Sequence, residues 1–215
     1  MSGIRISAWF GFVCLAAVGA LRGSGTQSAG DPQWQSLFDG KTLTHWEPSD
    51  FFKRGAVKAQ DGEMRLGIGT TLTGVRWVGE ELPRTDYEIS LQAMKIAGED
   101  FFCGLTFPVG DSHCTLIAGG WGGKVVGLSS IDYEDASENE TTSFMEFDRG
   151  RWYAIRVRVT PQKIEAWIDA KQVVDIETTG REIDVRSEMT MSTPLGLAAY
   201  KTEAAFRDIK LRRLQ

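Results

Sequence analysis

The strongest constraint on this chain is a period-two alternation of apolar and polar residues that returns along most of its length. Tyr153-Ala154-Ile155-Arg156-Val157-Arg158-Val159 places Ile155, Val157 and Val159 on one face and Arg156 and Arg158 on the other. Alternation of that kind is what a half-buried β-strand requires and what a helix cannot use. Glu63–Ile68, Tyr87–Ala93, Lys163–Ile168 and Ala205–Leu214 repeat it. Turn signals separate the segments: Asp61-Gly62, Thr160-Pro161-Gln162, Asp169-Ala170-Lys171 and Thr193-Pro194. Many short strands joined by tight turns imply an all-β fold, an antiparallel sandwich or barrel. The chain has 215 residues, enough for one such domain with a real core. No repeat of fixed period and no second domain is evident.

The N-terminus follows different rules. Arg5 precedes an uncharged apolar stretch, residues 6–21, and Val18-Gly19-Ala20 offers small residues to a signal peptidase. Residues 1–20 are therefore expected to be a signal peptide and residues 21–33 a flexible linker, leaving the domain at 34–215. The alternative is a membrane anchor, for which the stretch is somewhat short. Gly11-Phe12-Val13 before Cys14 is a poor lipid-attachment sequence. The protein is expected to be secreted or periplasmic, with no membrane association after cleavage. The formal charge of −5 argues against a nucleic-acid partner, which calls for a basic patch.

Export makes the cysteines informative. Cys103 and Cys114 remain after cleavage, and an oxidising compartment permits a disulfide. They flank Pro108-Val109-Gly110-Asp111, which reads as a hairpin turn, and lie equidistant from the point between Pro108 and Val109. A hairpin centred there would set them opposite each other and bridge them. Two buried free thiols are the other reading.

Several chemistries can be set aside. Ala118-Gly119-Gly120-Trp121-Gly122-Gly123-Lys124-Val125 lacks the first Gly and the Ser or Thr of a phosphate loop. It reads instead as a Gly-rich strand and bend where backbone approaches something closely. His45 and His113 are the two histidines, and no zinc pattern or nucleophile elbow is present. His45 reads as structural or exposed. His113 points to the face opposite Cys114 and serves a sugar or a proton if that face lines a cleft; otherwise it is a surface residue. Glu182-Ile183-Asp184-Val185-Arg186 spaces two acids as a glycosidase strand would, but Arg186 stands where a third is required. The segment 132–140 concentrates five acids, as either a solvated loop or the lip of a site. Its carboxylates could take sugar hydroxyls, relay a proton or hold Ca²⁺, although nothing else in the sequence supports Ca²⁺ and no cofactor is expected. Asn139-Glu140-Thr141 also matches a glycosylation sequon.

Three separated segments resemble one family. They are Leu37-Phe38-Asp39-Gly40-Lys41-Thr42-Leu43-Thr44-His45-Trp46; Arg151-Trp152-Tyr153 continuing through Ile164–Asp169 to Val173-Val174-Asp175; and Pro194-Leu195-Gly196-Leu197 followed by Phe206–Leu211. In order and spacing these are similar to the 3-keto-disaccharide hydrolase family over residues 34–214. The resemblance implies a concanavalin A-like jelly roll of two antiparallel sheets and an exported carbohydrate-active protein. It also implies chemistry on sugars oxidised at C3, where the ketone acidifies the C2 proton. A base then removes that proton, the C1 substituent leaves by elimination, and water adds to the enone. The chain departs from the family at Ser112-His113-Cys114-Thr115-Leu116, where relatives carry Glu and Gln, and at Leu197-Ala198-Ala199-Tyr200, where they carry Gln and His. The candidate bases are accordingly His113 and Glu140. Trp121 is the candidate stacking ring, with Asp132, Tyr133 and Asn139 as candidate hydroxyl contacts. The partner is expected to be an oligosaccharide or keto-sugar glycoside. A non-catalytic glycan-binding module is the alternative.

Overall fold

The computed structural model describes residues 33–215, with Met1 and Gly3. Apart from Met1 and Gly3, the expected signal peptide lies outside the described residues, as does the expected linker apart from residue 33. Among the described residues fifteen strands, β1 to β15 in chain order, form two antiparallel sheets. The eight-stranded sheet runs β13 (Lys171–Glu177), β12 (Lys163–Ile168), β11 (Trp152–Val159), β6 (Tyr87–Gly98), β15 (Thr202–Arg213), β4 (Glu63–Leu66) and β3 (Val57–Gln60). Strand β1 (Gln35–Ser36) adds to β15. The seven-stranded sheet runs β10 (Ser143–Phe144), β9 (Val125–Ser129), β8 (Ser112–Gly119), β7 (Cys103–Val109), β14 (Gly196–Tyr200), β5 (Leu72–Trp77) and β2 (Trp46–Pro48). The fold is a concanavalin A-like jelly-roll sandwich.

Alternation builds the core directly. Ile155, Val157 and Val159 of β11 meet Leu91, Ile89 and Tyr87 of β6 in register, and all are buried. From the other sheet Leu105 and Phe107 of β7, Cys114 and Leu116 of β8, and Leu128 of β9 close the same cluster. Each buried aliphatic or aromatic side chain contributes roughly 1.5–3 kcal/mol. Tyr87 sits fully inside, and its hydroxyl donates to the Pro108 carbonyl at 2.5 Å.

The expected disulfide is not formed: Cys103 and Cys114 are buried free thiols. The reason is register. Val109 pairs with Ser112, so the hairpin turns at Gly110-Asp111, two residues beyond the expected centre. Cys103 therefore faces Ala118 and Cys114 faces Phe107. Gly110 takes a positive φ of 54°, which suits a two-residue turn there. Pro108 is strand, not turn, and pairs with His113. Both thiols point into the interior, and burial pushes Cys114 up to about 12 and Cys103 higher still.

Candidate functional site

The outward face of the seven-stranded sheet is assembled one residue at a time from different strands. Register places Leu72 and Gly74 of β5, Tyr200 and Ala198 of β14, Gly104 of β7, Ile117 of β8 and Gly127 of β9 on it. Small residues here let covering chain pack close to the sheet: a Cβ on Gly74 would lie 2.9 Å from the Phe51 ring and one on Gly104 3.0 Å from the Phe101 ring. Chain from two loops folds over this face and turns it into a cleft. Segment 131–142 covers β9, where a Cβ on Gly127 would lie 2.9 Å from the Ala136 carbonyl. A second segment enters by pairing Ile183 with Ile131. It continues as a short 3-10 helix, Ser187–Ser192, that packs Met189 beside Gly104.

Between these lies a cavity of about 320 Å³. One wall is aromatic. Phe101 and Tyr200 stack at 6.0 Å with planes 26° apart. Trp121 stands at the mouth, 44% exposed, and Asp100 lies beside it. The Gly-rich run explains the position of Trp121. A Cβ on Gly120 would approach Ile117 to 2.8 Å, so the bend can be this tight only without one. Trp121 itself is held at φ 46°, an uncommon state for a bulky residue and one associated with functional sites. The Gly122 N–H donates to the Asp100 carboxylate at 3.3 Å and ties the bend to that acid.

The opposite wall is charged. Arg186 donates to Glu188 at 2.8 Å and to Asp135 at 2.5 Å, linking the crossing segment to the acidic loop. Burial works to raise the Glu188 carboxyl, but backbone hydrogen bonding and Arg186 outweigh it and hold it below its usual range. Glu188 is therefore ionised at neutral pH. At the β9 side of the cavity, where Ser129 pairs with Thr115, the Ser129 hydroxyl is buried with no hydrogen-bond partner. An unpartnered buried hydroxyl forfeits about 1–3 kcal/mol that a ligand hydroxyl could restore.

Of the residues singled out from the sequence, Trp121 lines this cavity. The others lie elsewhere. Glu140 is paired two-pronged with Arg181, at 2.5 and 2.9 Å, and Arg181 also holds Asp132 at 2.7 Å. Arg181 keeps the Glu140 carboxyl below its ordinary value. The Glu182 N–H, followed by Arg181, does the same for Asp132. Arg181 borders a separate hollow formed with Gly110, Asp111 and Pro161. Asn139 is buried and structural. Its amide donates to the carbonyls of Leu128, Glu134 and Asp135, and its carbonyl accepts from Thr141. That burial leaves no room for a glycan on the sequon. Tyr133 is 84% exposed on the turn of the same loop. His113 does lie on the outward face, but Thr115 separates it from Ile117 and the cavity. Its Nε2 is buried without a partner. Burial, then nearby Arg84, hold the imidazole below its ordinary value, against Asp184.

Asp100, Phe101, Ser129, Arg186, Glu188 and Tyr200 escaped the sequence reading. Arg186 and Glu188 lie in and next to the acid pair set aside there, and Tyr200 ends the strand noted as a family departure. Among the described residues no group of three or more His, Cys, Asp or Glu side chains is placed to hold a metal ion.

Residues 33–212 match the 3-keto-alpha-glucoside-1,2-lyase-like domain. The chain belongs to that family. The 3-keto-alpha-glucoside-1,2-lyase-like domain thus spans all fifteen described strands apart from the last residue of β15. Solved structures share the fold at low identity. The carbohydrate-binding module CBM66 from Bacillus subtilis superposes with a TM-score of 0.51 and 11% identity, covering 78% of this chain and 95% of its own. The β-glucanase of Bacillus licheniformis gives 0.53 and 13%, covering 87% and 100%. The Crh5 transglycosylase gives 0.56 and 10%, covering 86% and 85%. No curated protein is a significant match.

Proposed function

We propose that the chain is a carbohydrate-active domain that binds a 3-keto glycoside in the outward cavity of the seven-stranded sheet and cleaves it by elimination. The observation that carries this reading is the cavity itself. An exposed Trp121 and the Phe101–Tyr200 stack face the ion pair of Arg186 and Glu188 across a volume suited to a small ligand. Trp121 stacks on the apolar face of the ring, and the Ser129 hydroxyl takes a sugar hydroxyl. Glu188, ionised at neutral pH, removes the C2 proton. The electron pair moves toward the C3 ketone oxygen, and the Arg186 guanidinium stabilises the enolate that forms. The C1–O bond then breaks, its electron pair leaves with the departing sugar oxygen, and that oxygen takes up the proton Glu188 removed, which restores the carboxylate. Water adds to the enone to complete the net hydrolysis. Family membership supports the chemistry, and the sugar-related folds of the structural neighbours support the ligand class.

The same ion pair favours one competing reading. Backbone hydrogen bonding, followed by Arg186, lowers the basicity of Glu188, which suits a site that binds glycans without turning them over. Incubation with 3-keto disaccharides and with the matching unoxidised disaccharides separates the two. Release of monosaccharide from the keto form alone, lost in Glu188→Gln, supports elimination. Saturable binding with no release from either assigns the glycan-binding role. We further propose that residues 1–20 direct export to the periplasm or beyond. Recovery of protein whose N-terminus begins near residue 21 supports that, and retention of residues 1–20 overturns it.

A further inference from the structure

The outward face of the eight-stranded sheet has a different chemistry. Register aligns Arg158 of β11, Glu88 of β6 and Arg212 of β15 in one row, and Arg156, Ser90 and Lys210 in the next. The Glu88 side chain is fully buried beneath three guanidinium groups. It accepts from Arg156 at 3.1 Å, Arg158 at 2.8 Å and Arg212 at 2.7 Å. Each carboxylate bond fixes a long side chain in place, so little rotamer entropy remains to be lost when a ligand arrives. Tryptophans hold the cations from the other side. Arg156 lies 3.8 Å over Trp167, Arg207 4.1 Å over Trp152, and Arg212 4.7 Å over Trp34. Lys210 also sits over Trp34, at 5.1 Å.

This face is basic although the chain as a whole is acidic. Its central strands carry Arg156, Arg158, Lys163, Arg207, Lys210 and Arg212 against Glu88, Glu165, Glu203 and Asp208, a small excess of cations. Beside the row is a hollow of about 290 Å³. Ser90, Gln92 and Ala154 line it together with Trp34, Lys210 and Asp208. Small residues, one indole, amide and hydroxyl groups and a cation are what a sugar ring bearing one anionic group needs. A polyphosphate chain fits worse: it has no ring to lie on the Trp34 indole, and Lys210 is the one cation among the residues lining the hollow.

We propose that this face is a second ligand surface, one that takes an anionic glycan through its carboxylates or sulfates. It is separate from the cavity around Trp121, which lies on the other sheet. The test titrates the full chain with a galacturonate oligosaccharide, a heparin-type sulfated oligosaccharide, a neutral dextran fragment and a single-stranded oligonucleotide. Binding of a carboxylated or sulfated ligand, weakened by salt and absent with dextran, is expected. The two anionic arms decide which group is recognised. Trp34→Ala and Lys210→Glu are each expected to weaken binding by about tenfold or more, whereas Trp121→Ala leaves it unchanged. A melting curve accompanies each variant, and Lys210→Glu, at the rim of the hollow, decides the question should Trp34→Ala unfold. Dextran bound as tightly as the anionic sugars overturns the proposal. So does binding unchanged in Lys210→Glu, tighter binding to a single-stranded oligonucleotide, or no binding at all.

Discussion

Glu88 shows how one residue can organise a surface. Burial alone would raise its carboxyl, yet hydrogen bonds from Arg158 and Arg212 outweigh burial and hold it below its ordinary value of 4.5. A carboxyl lowered on folding adds stability that is fully present above its unfolded value and is lost as pH falls through its folded value. Glu88→Ala is therefore expected to cost about 3 kcal/mol at neutral pH, because three guanidinium groups lose their common partner. The variant's melting temperature should also fall less steeply than the parent's as pH drops below 4.5. An equal slope in both proteins would remove Glu88 from the acid response. The thiols give a second residue-scale prediction. With Cys103 and Cys114 fully buried and burial raising both, neither should react with a thiol reagent in the folded protein. Both should react after unfolding without a reductant, and a need for reductant would reinstate the bridge.

At the scale of elements, the acidic loop is held from within by its one buried amide, while its carboxylates tie it to Arg181 and Arg186 of the crossing segment. Asn139 bonds to three carbonyls and to Thr141, and Thr141 in turn accepts the Leu128 N–H of β9 at 2.8 Å. Asn139→Ala would leave several of these groups unpaired away from water. It is expected to lower stability by about 2 kcal/mol, or about 4–8 °C in melting temperature. Because this loop carries Asp135 to Arg186, ligand affinity at the cavity should fall as well. Glu140→Gln, on the surface pair with Arg181, should change neither by much. A stable Asn139→Ala protein would show that the loop is anchored elsewhere. The contrast marks what could be read in advance. The strands of β6, β11 and β12 were legible because each residue's face is fixed by its neighbours in the chain. The acids of the loop were legible as charge but not as geometry, since whether Glu140 meets a substrate or Arg181 depends on a partner 41 residues away. Cys103 and Cys114 show the same limit: a two-residue displacement of the turn changed every pairing of the hairpin.

At the scale of the whole molecule, the sandwich separates two chemistries with a dry core. The cavity draws Leu72, Ile117 and Tyr200 from three different strands and Phe101 and Arg186 from two separate loops. No local spacing could have gathered those residues, and only the sheet order brings them together. The basic face draws on β6, β11, β12 and β15 of the other sheet. Packed sheets lie about 10 Å apart, and the layer between them here is filled by side chains such as Phe107, Leu116, Ile155 and Leu91. With that layer between them, ligands on the two faces should act independently. A ligand at 100 times its Kd stabilises the native state by about 2.7 kcal/mol, or about 5–11 °C for a domain of this size. A neutral keto-sugar and an anionic glycan given together should therefore raise the melting temperature by nearly the sum of their separate shifts. Trp121→Ala should abolish only the first shift and Lys210→Glu only the second. A combined shift no larger than the greater of the two would mean a single shared site, and the separation of roles between the sheets would fail.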